Sequence, residues 1–341
     1  MKTRLPVPCV CADSTPEQET IAARNHNANN FCFIDIRFIV FSDNTIVSNL
    51  GFFSFQNRQF TQNIKMAKIR KITIQSIFII YIFLPKIYAM IFYFSGCGNS
   101  RFIAESIAQA LDEQLVFIPE AERENRFEYT LAEGERVGFV FPIYSWQPPH
   151  LVLEFVQKLK FVQKPDYVWM AVTCGDNGGV AEKVFGEQLT EIGLTLNADY
   201  CFQMPNTYVN MAGMGTDKPE VAKRKIEKAK AHLPEVIAAI TERKSVTEMR
   251  RGIFPRFKTN VIGKGFYKWV SDEPFRSTDD CISCGKCVSV CPLQNITLED
   301  GRPKWHGSCT NCDACFHHCP KNAIQYGKAS VGKEQYYFGK L

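Results

Sequence analysis

The chain has no long apolar run, no strong net charge, and neither a Walker loop nor an HExxH motif. Its longest largely apolar stretch, residues 72–84, is shorter than the roughly 20 residues that a membrane-spanning helix needs. The 40 lysines and arginines outnumber the 35 acidic residues by only five over 341 residues. We therefore expect neither stable membrane insertion nor a nucleic-acid partner.

Apolar residues make up 45% of the chain and charged residues 22%, which is typical of folded globular protein and excludes a wholly disordered chain. At about 150 residues per domain, the length predicts two domains and some additional sequence. Cysteine is unusually frequent, and eight of the 14 cysteines lie between residues 281 and 319. Clustered cysteines in a long chain indicate metal binding rather than a disulfide scaffold, and hence a reducing, cytoplasmic location.

The N-terminal region contains a segment that looks like a secretory signal, because Lys68, Arg70 and Lys71 precede the apolar residues 72–84. A signal belongs at the N-terminus, whereas this segment follows 65 residues and would require initiation at Met66. The first recognisable folded element begins directly after Met90. We therefore predict that residues 1–89 are an extension outside the folded protein.

From residue 90 onward, apolar runs alternate with amphipathic segments, the pattern of a parallel sheet covered by helices. Strands are predicted at residues 91–95, 114–119, 136–144, 167–173 and 198–204. Helices are predicted at 101–111, 149–160, 180–192 and from an N-cap at Asp217, the last with a buried stripe of Ala222, Ile226, Ala229, Leu233 and Ile240. Residues 90–243 are thus predicted to form an α/β domain with a five-stranded, doubly wound parallel sheet.

Ligands bind beyond the carboxyl ends of the strands in such a sheet, so the loops at that edge form the candidate site. The loop after the first strand reads SGCGNS and offers backbone amides and a helix N-terminus to a phosphate. A nicotinamide site is disfavoured, because Arg101 occupies the place of that fingerprint's third glycine. The candidate cofactor-binding residues are Ser95, Gly96, Cys97, Gly98, Asn99, Ser100, Tyr144, Trp146, Thr173, Cys174, Gly175 and Gly179.

Each of these loops taken alone also fits a structural role. Glycine-rich turns serve tight packing, and Tyr144 and Trp146 are compatible with core or surface positions as well as with stacking on a flavin. Cys174 is expected to be a small buried residue rather than a redox group. Together, the loops make residues 90 to about 210 resemble flavodoxin, and more narrowly the flavodoxin half of microbial fusion proteins whose phosphate loop reads SGTGNS.

The resemblance to flavodoxin implies bound FMN. In this chain Cys97 stands where the family has Thr, which exchanges a strong hydroxyl donor for a weak thiol. Most phosphate donors in such a loop are backbone amides, so we still expect the flavin to bind.

Residues 281–296 and 309–324 repeat one pattern, CxxCxxCxxxCP, at an offset of 28 residues. This is the pattern of bacterial ferredoxins, and the resemblance implies two 4Fe-4S clusters, each taking its fourth cysteine from the other motif. One cluster would use Cys281, Cys284, Cys287 and Cys319. The other would use Cys309, Cys312, Cys315 and Cys291.

Zinc is the alternative metal for these cysteines. It is disfavoured because zinc sites pair two CxxC elements across a longer spacer, whereas a third cysteine follows at once here. With eight cysteine ligands available, His306, His317 and His318 are expected to be surface residues. A small α+β ferredoxin domain is predicted over residues 277–330, with a hairpin turn at Asp300 and Gly301, followed by a tail at 331–341.

Residues 244–276 are predicted to be a basic, aromatic linker, and residues 249–269 contain no acid. We expect this linker to pack on one of the two domains through Phe254, Phe257, Phe266 and Trp269. The alternative is a basic docking surface for an acidic redox partner, whose binding would weaken with salt.

From residue 90 to about 330 the chain therefore resembles fused flavodoxin-ferredoxin proteins. The resemblance implies an electron-transfer protein that links two 4Fe-4S clusters to FMN and works with redox partner proteins. One alternative is a flavin-dependent oxidoreductase of a small molecule or quinone, with the clusters as relay. A remote alternative is a zinc-stabilised binding module without redox function. No catalytic side chain is predicted, because substrate chemistry would belong to the flavin. The oligomeric state is left open.

Overall fold

The computed structural model describes residues 89–340 and two short upstream strands, β1 (Phe38–Val40) and β2 (Ile46–Ser48), which pair antiparallel. The chain divides into two units, Met1–Leu84 and Pro85–Leu341. The signal-like stretch at 72–84 and the possible start at Met66 lie outside the described residues. Within the described ranges, no helix is long and apolar enough to cross a bilayer.

The second unit begins with a five-stranded parallel sheet. Its chain contributes, in order, β3 (Met90–Tyr93), β4 (Gln114–Phe117), β5 (Glu128–Tyr129), β6 (Arg136–Pro142), β7 (Lys160–Phe161), β8 (Tyr167–Cys174) and β9 (Ala198–Gln203). The large sheet has the order β4-β3-β6-β8-β9 with every neighbouring pair parallel, while β5 and β7 form a separate two-residue pair. All five predicted strands are present, and the predicted fold class is confirmed.

Helices cover both faces of this sheet. They are α1 (Asn99–Leu111), α2 (Ile118–Arg123), α3 (His150–Lys158), α4 (Ala181–Glu191) and α5 (Pro219–Thr241). Apolar side chains of α2, α3 and α4 join one core cluster, and those of α1 and α5 join the other. Strand β8, which lies between β6 and β9, is buried along all eight residues, as expected for a parallel strand covered on both faces.

Two local predictions were wrong. The second strand ends at Phe117 rather than 119, because Pro119 lies in the first turn of α2, a position that suits proline. Asp217 does not cap α5, whose N-cap is Lys218 and has no side-chain cap. The Asp217 carboxylate instead accepts hydrogen bonds from the backbone N–H of Asn206 and the ammonium of Lys225. The predicted buried stripe of α5 is present, with Ile226 half-buried.

The predicted linker, residues 244–276, contains regular structure of its own. Thr247 bridges to Asp199 at the edge of β9, and Met249 is buried in the core. A continuous helical segment, here the 255–266 segment, follows as α6 (Pro255–Phe257), a π-helical turn (Lys258–Gly263) and α7 (Lys264–Phe266). The predicted aromatic packing was wrong for three of four residues, because Phe254, Phe257 and Trp269 are 75%, 57% and 71% exposed.

The C-terminal module is small and has internal symmetry. Strand β10 (Phe275–Ser277) pairs with β13 (Ile324–Tyr326), and β11 (Ile296–Glu299) forms a hairpin with β12 (Arg302–Trp305). Asp300 and Gly301 make the hairpin turn with φ of 47° and 76°, as predicted. Helices α8 (Lys286–Val290) and α9 (Ala314–His317) each follow the second cysteine of a motif. The repeat in the sequence is thus a repeat in the fold.

Candidate redox site

The loops at the carboxyl edge of the large sheet enclose a cavity of about 410 Å³. This volume lies within the range of small-molecule and cofactor sites, roughly 300–1,000 Å³. Of the predicted residues, those that line it are Ser95, Gly96, Cys97, Asn99, Ser100, Tyr144, Trp146, Thr173, Cys174 and Gly175. Gly98 and Gly179 do not line the cavity. Gly98 is the N-cap of α1, and Gly179 packs against Thr259 and Trp146.

The loop after β3 is built to receive an anion. Gly98 has φ of 93°, and its N–H donates to the Ser95 hydroxyl at 3.1 Å, which closes the turn. The helix α1 begins at the next residue, so the backbone N–H groups of its first turn have no intrahelical acceptors. Nearby, the hydroxyls of Ser100 and Thr173 lie 2.7 Å apart. These groups fit the phosphate of a flavin nucleotide.

The turn after β6 fixes two aromatic side chains on the cavity wall. Ser145 and Trp146 both have left-handed φ values, 47° and 61°. The indole N–H of Trp146 donates to the Asn177 side-chain oxygen at 2.8 Å, and the Lys258 ammonium lies 5.2 Å from the ring centroid. Burial raises the pKa of Tyr144 well above its usual value, so that phenol stays neutral. Aromatic walls beside phosphate donors fit an isoalloxazine ring.

Sequence reasoning missed part of this cavity. Tyr208, Met211 and Met214 come from the loop after β9, and Ile262 and Phe266 come from the 255–266 segment. The rings of Tyr208 and Phe266 meet edge to face at 5.9 Å. No local motif marks these residues, because they reach the cavity only through tertiary packing.

Cys174 is buried at the end of β8, as predicted. Its sulfur lies 3.5 Å from that of Cys201 on the neighbouring strand. The hydrogen bond with Cys201 and burial together raise the pKa of Cys174 well above its usual value. This thiol is therefore protonated at neutral pH.

In the C-terminal module, the cysteines of the two motifs are brought together across the repeat. One small cavity is lined by the first three cysteines of motif one and the fourth of motif two, namely Cys281, Cys284, Cys287 and Cys319. At the other end, Cys291 lies near enough to Cys309 and Cys315 to influence the pKa of each thiol. The crossed assignment of the eight cysteines to two clusters stays a prediction.

The thiols of the second group are buried and lie close to one another. Burial raises the pKa of Cys309 to about 12, and the nearby Cys291 adds to the shift. The pKa of Cys315 is raised well above its usual value by burial, with Asp313, Cys309 and Cys291 contributing. Buried thiolates that repel one another need a positive metal to remain ionised, and iron would supply that charge.

The fourth cysteine of each motif accepts an equivalent backbone hydrogen bond. The N–H of Asn295 donates to the Cys291 sulfur at 3.3 Å, and the N–H of Ala323 donates to the Cys319 sulfur at 3.2 Å. Both donors lie four residues after their cysteine, so the two bonds obey the 28-residue offset of the repeat. Amide donors directed at sulfur stabilise thiolate ligands and tune cluster potentials.

The two candidate sites share a wall. Cys312, from the second motif, lines the cavity of the parallel sheet. The thiol of Cys97 donates to the Cys312 carbonyl at 3.3 Å. There is no room for a side chain at Gly96, where a Cβ would lie 2.6 Å from that of Cys312. Next to this contact, the Asn210 amide donates to the Asp313 carboxylate at 2.6 Å.

His317 is not a surface residue, so that prediction was wrong. It is 1% exposed, and its Nδ1 accepts the N–H of Tyr336 at 3.1 Å while its Nε2 lies 2.6 Å from the Thr207 carbonyl. The ring therefore donates from Nε2, and burial lowers its pKa to about 4. The neutral imidazole joins the loop after β9 to the C-terminal module. His306 is exposed as predicted, and His318 is half-buried.

The C-terminal tail, residues 331–341, also reaches the phosphate loop. The Phe338 N–H donates to the Cys97 carbonyl at 2.8 Å, and its ring stacks on Phe102 of α1 at 4.3 Å. The Tyr336 hydroxyl donates to the Asn99 side chain at 2.9 Å. Two backbone carbonyls of the loop after β9, those of Val209 and Met211, accept from Lys333.

Comparison with known proteins agrees with this division of the chain. Residues 90–191 match a family described as "Flavodoxin domain", and residues 263–324 match "4Fe-4S dicluster domain". Over 70 residues the chain is 39% identical to a ferredoxin of Pyrobaculum islandicum, covering 18% of this chain and 64% of that protein. Over 104 residues it is 33% identical to a pyruvate-flavodoxin oxidoreductase of Trichormus variabilis, covering 20% of this chain and 9% of that protein.

The chain thus spans less than two thirds of the length of either curated relative. Among solved structures, the Trp repressor binding protein from Bacillus subtilis is similar, with 14% identity, a TM-score of 0.28 and coverage of 42% of this chain and 94% of that one. The dicluster match favours iron–sulfur clusters over zinc for the eight cysteines.

Proposed function

Since the chain joins a flavodoxin domain to a 4Fe-4S dicluster ferredoxin domain, we propose that it transfers electrons between two iron–sulfur clusters and one FMN within a single chain. Each cluster exchanges one electron, whereas a flavin holds one or two, so the combination can collect or divide electron pairs. The redox role follows from the two domains, and redox partner proteins follow from that role. A cytoplasmic location is part of the proposal.

The observation that carries this proposal is the shared wall between the two sites. Cys312 lines the cavity that we assign to FMN and contacts the phosphate loop through Cys97 and Gly96. The cluster that we assign to Cys309, Cys312, Cys315 and Cys291 therefore adjoins the flavin site. The second cluster is assigned to the small cavity lined by Cys281, Cys284, Cys287 and Cys319.

We call the site of Cys281, Cys284, Cys287 and Cys319 the outer cluster site, and the other the inner cluster site. The outer cluster site is the more accessible of the two. Cys284 is exposed, whereas Cys315 is buried and Cys312 is half-buried. Next to Cys284, Ile282 is exposed and Leu298 closes the small cavity. We propose that a redox partner protein exchanges electrons at this end, so that the path runs from the outer cluster through the inner cluster to the flavin.

The residues around the cavity would bind and orient the flavin. The backbone amides at the start of α1 would hold the phosphate, and Tyr144 and Trp146 would contact the ring system. Tyr208 and Phe266 line another part of the cavity wall, where they would exclude water from the flavin. The Lys225 ammonium fixes the neighbouring loops by donating to the Gly175 carbonyl at 2.7 Å and the Asp217 carboxylate at 2.6 Å.

The proposal is tested first by composition and then by kinetics. Anaerobically purified chain should contain about eight irons, eight sulfides and one FMN. After photochemical reduction of the clusters by a one-electron donor, flavin absorbance should change at a rate that does not depend on protein concentration. The same protein stripped of flavin is the control. Two zincs per chain, or a rate that rises in proportion to protein concentration, would contradict the proposal.

A second candidate, a flavin-dependent oxidoreductase, is favoured by the apolar rim of the cavity. Met211 and Met214 line the cavity and are each about half exposed, and Ile262 beside them is also exposed. Such a rim fits a small apolar substrate or a quinone at the flavin. Substrate-dependent turnover with stoichiometric product would select this function, whereas a requirement for a second redox protein would select the carrier.

A further inference from the structure

A row of apolar side chains projects from the outer surface of the 255–266 segment and its flanks. We call this surface the 253–269 face. Its members are bulky and 55% to 75% exposed, namely Ile253, Phe254, Phe257, Val261 and Trp269. In monomeric proteins, contiguous exposed apolar surface usually marks a site of interaction.

The chain segment that carries this row is basic. Residues 249–269 contain six lysines and arginines and no acid. Arg256, Lys264 and Lys268 are exposed on the same segment. Two other basic residues are already engaged, Arg251 with Glu182 and Lys258 with the ring of Trp146. The face therefore combines aromatic and aliphatic groups with basic groups on the 255–266 segment and its flanks.

The fold itself directs these side chains outward. On the inner side of the segment, Thr259 is fully buried, and its hydroxyl accepts the Val180 N–H at 2.9 Å. Its carbonyl accepts from the Gln147 amide at 2.6 Å. Gly263 packs against the Ser145 carbonyl and the Gln147 side chain with no space for a Cβ. The segment cannot rotate to bury Phe254 or Phe257 without breaking these contacts.

We propose that the 253–269 face binds the surface of an anionic lipid bilayer, with the apolar side chains among the acyl chains and the basic side chains at the headgroups. Basic helices with aromatic and aliphatic residues on one face have this behaviour. A second copy of the chain is a poor occupant, because a two-fold contact would oppose the same positive charges. The five apolar side chains are each more than half exposed, so they are free to enter a bilayer.

The face also adjoins the flavin cavity. Ile262 and Phe266, on the same segment, line that cavity, and Met211 and Met214 form its exposed rim. A bilayer bound at the face would lie beside the cavity rim. The binding itself does not depend on the cofactor assignment, because none of the five apolar residues or Arg256, Lys264 and Lys268 is assigned to a cofactor.

The test uses the full chain with its cofactors and co-sedimentation with two kinds of vesicle, pure phosphatidylcholine and an equal mixture with phosphatidylglycerol. We expect binding to the mixed vesicles that weakens with salt, and little binding to the neutral ones. The triple variant Arg256→Glu, Lys264→Glu, Lys268→Glu should weaken binding by roughly fivefold or more per reversed charge. Phe254→Ser with Phe257→Ser should weaken it similarly. Iron and FMN contents report whether each variant folds.

Matched controls come from other exposed positions. Lys223→Glu with Lys228→Glu on α5, and Val162→Ser, should leave vesicle binding unchanged. Trp269 should show a blue shift in fluorescence on mixed vesicles, and Trp269→Phe should abolish that shift. The proposal is overturned if folded protein ignores the mixed vesicles at low salt, if the controls weaken binding as much as the face variants, or if only an acidic protein binds the face.

Discussion

The thiol of Cys97 donates a hydrogen bond to the backbone carbonyl of Cys312, 3.3 Å away. Cys97 belongs to the phosphate loop of the flavodoxin domain, and Cys312 belongs to the second cysteine motif. The side chain at this position is therefore used to join the two domains. The backbone amides of the loop do not take part in this bond, so the phosphate site that we propose there does not require a hydroxyl at position 97.

The first prediction concerns that thiol. Cys97→Ala removes the bond to Cys312 but leaves the amides of the phosphate loop in place. We expect the dissociation constant of FMN to change by well under about tenfold, while the free energy of unfolding falls by about 1 kcal/mol. Cys97→Ser, which keeps a donor, should be nearly neutral in both. Flavin fluorescence titration and denaturant melts measure the two effects, and a large loss of FMN affinity in Cys97→Ala would assign the thiol to the phosphate instead.

Gly96 offers a direct test of the shared wall. A Cβ there would lie 2.6 Å from the Cβ of Cys312 and 2.9 Å from its carbonyl oxygen, so Gly96→Ala must push the ferredoxin domain away. We expect the concentration-independent phase of flavin reduction to become slower, because the rate of electron tunnelling falls steeply as the two redox centres move apart. Gly215→Ala is the matched control, since its Cβ meets nothing within 4 Å. Equal rates in both variants would contradict the shared wall.

The parts of the fold that could be predicted are those determined by residues close together in the sequence. The five strands and the stripe of α5 follow from the period of apolar residues, and the hairpin turn at Asp300 and Gly301 follows from the need for positive φ. The SGCGNS loop could be found because glycine and a helix start must lie close in sequence. In each case, the residues that determine the structure are neighbours in the chain.

The parts that could not be predicted depend on contacts between distant residues. His317 is buried because Thr207 and Tyr336 supply both ring partners, and neither lies in the cysteine motif. The aromatic residues at 254 and 257 were expected to pack, but Thr259 and Gly263 occupy the buried side of that segment instead. Periodicity reports which residues share a face and does not report which face meets the core.

The crossing of cysteine ligands gives a paired prediction. Cys284→Ser and Cys319→Ser should lose the same cluster, and Cys312→Ser and Cys291→Ser should lose the other. Each variant should retain about four irons, and the electron paramagnetic resonance spectra should match within each pair and differ between pairs. If Cys291→Ser instead resembled Cys284→Ser, each motif would bind its own cluster and the crossed assignment would be wrong.

Asp199 predicts a pH-dependent stability. Burial first, and then the charge of Glu182, raises its pKa from 3.8 to about 6. The folded state therefore holds this proton more tightly than the unfolded state, so this group costs stability at pH 7 and the cost disappears as pH falls through 6 toward 4. Asp199→Asn should raise the free energy of unfolding at pH 7 by up to about 2 kcal/mol, with the gain shrinking toward pH 4. The exposed Asp166→Asn is the control, and a gain that does not depend on pH would contradict the titration.

The last prediction concerns the C-terminal tail. Phe338→Ala keeps the backbone bond to the Cys97 carbonyl but loses the stack on Phe102, and should lower the free energy of unfolding by about 2 kcal/mol. Truncation after Gln335 also removes that backbone bond and the Tyr336 contact to Asn99. It should therefore raise the dissociation constant of FMN as well, because both contacts support the phosphate loop.

Val331→Ala tests the same tail at a residue that is 58% exposed, and should be neutral in both measurements. Thermal melts and flavin titration on the three variants separate the two roles of the tail. A truncated chain that binds FMN as tightly as the full chain would limit the tail to stability. A graded loss, first of stability in Phe338→Ala and then of FMN affinity in the truncation, would show that residues after the last cysteine motif complete the flavin site.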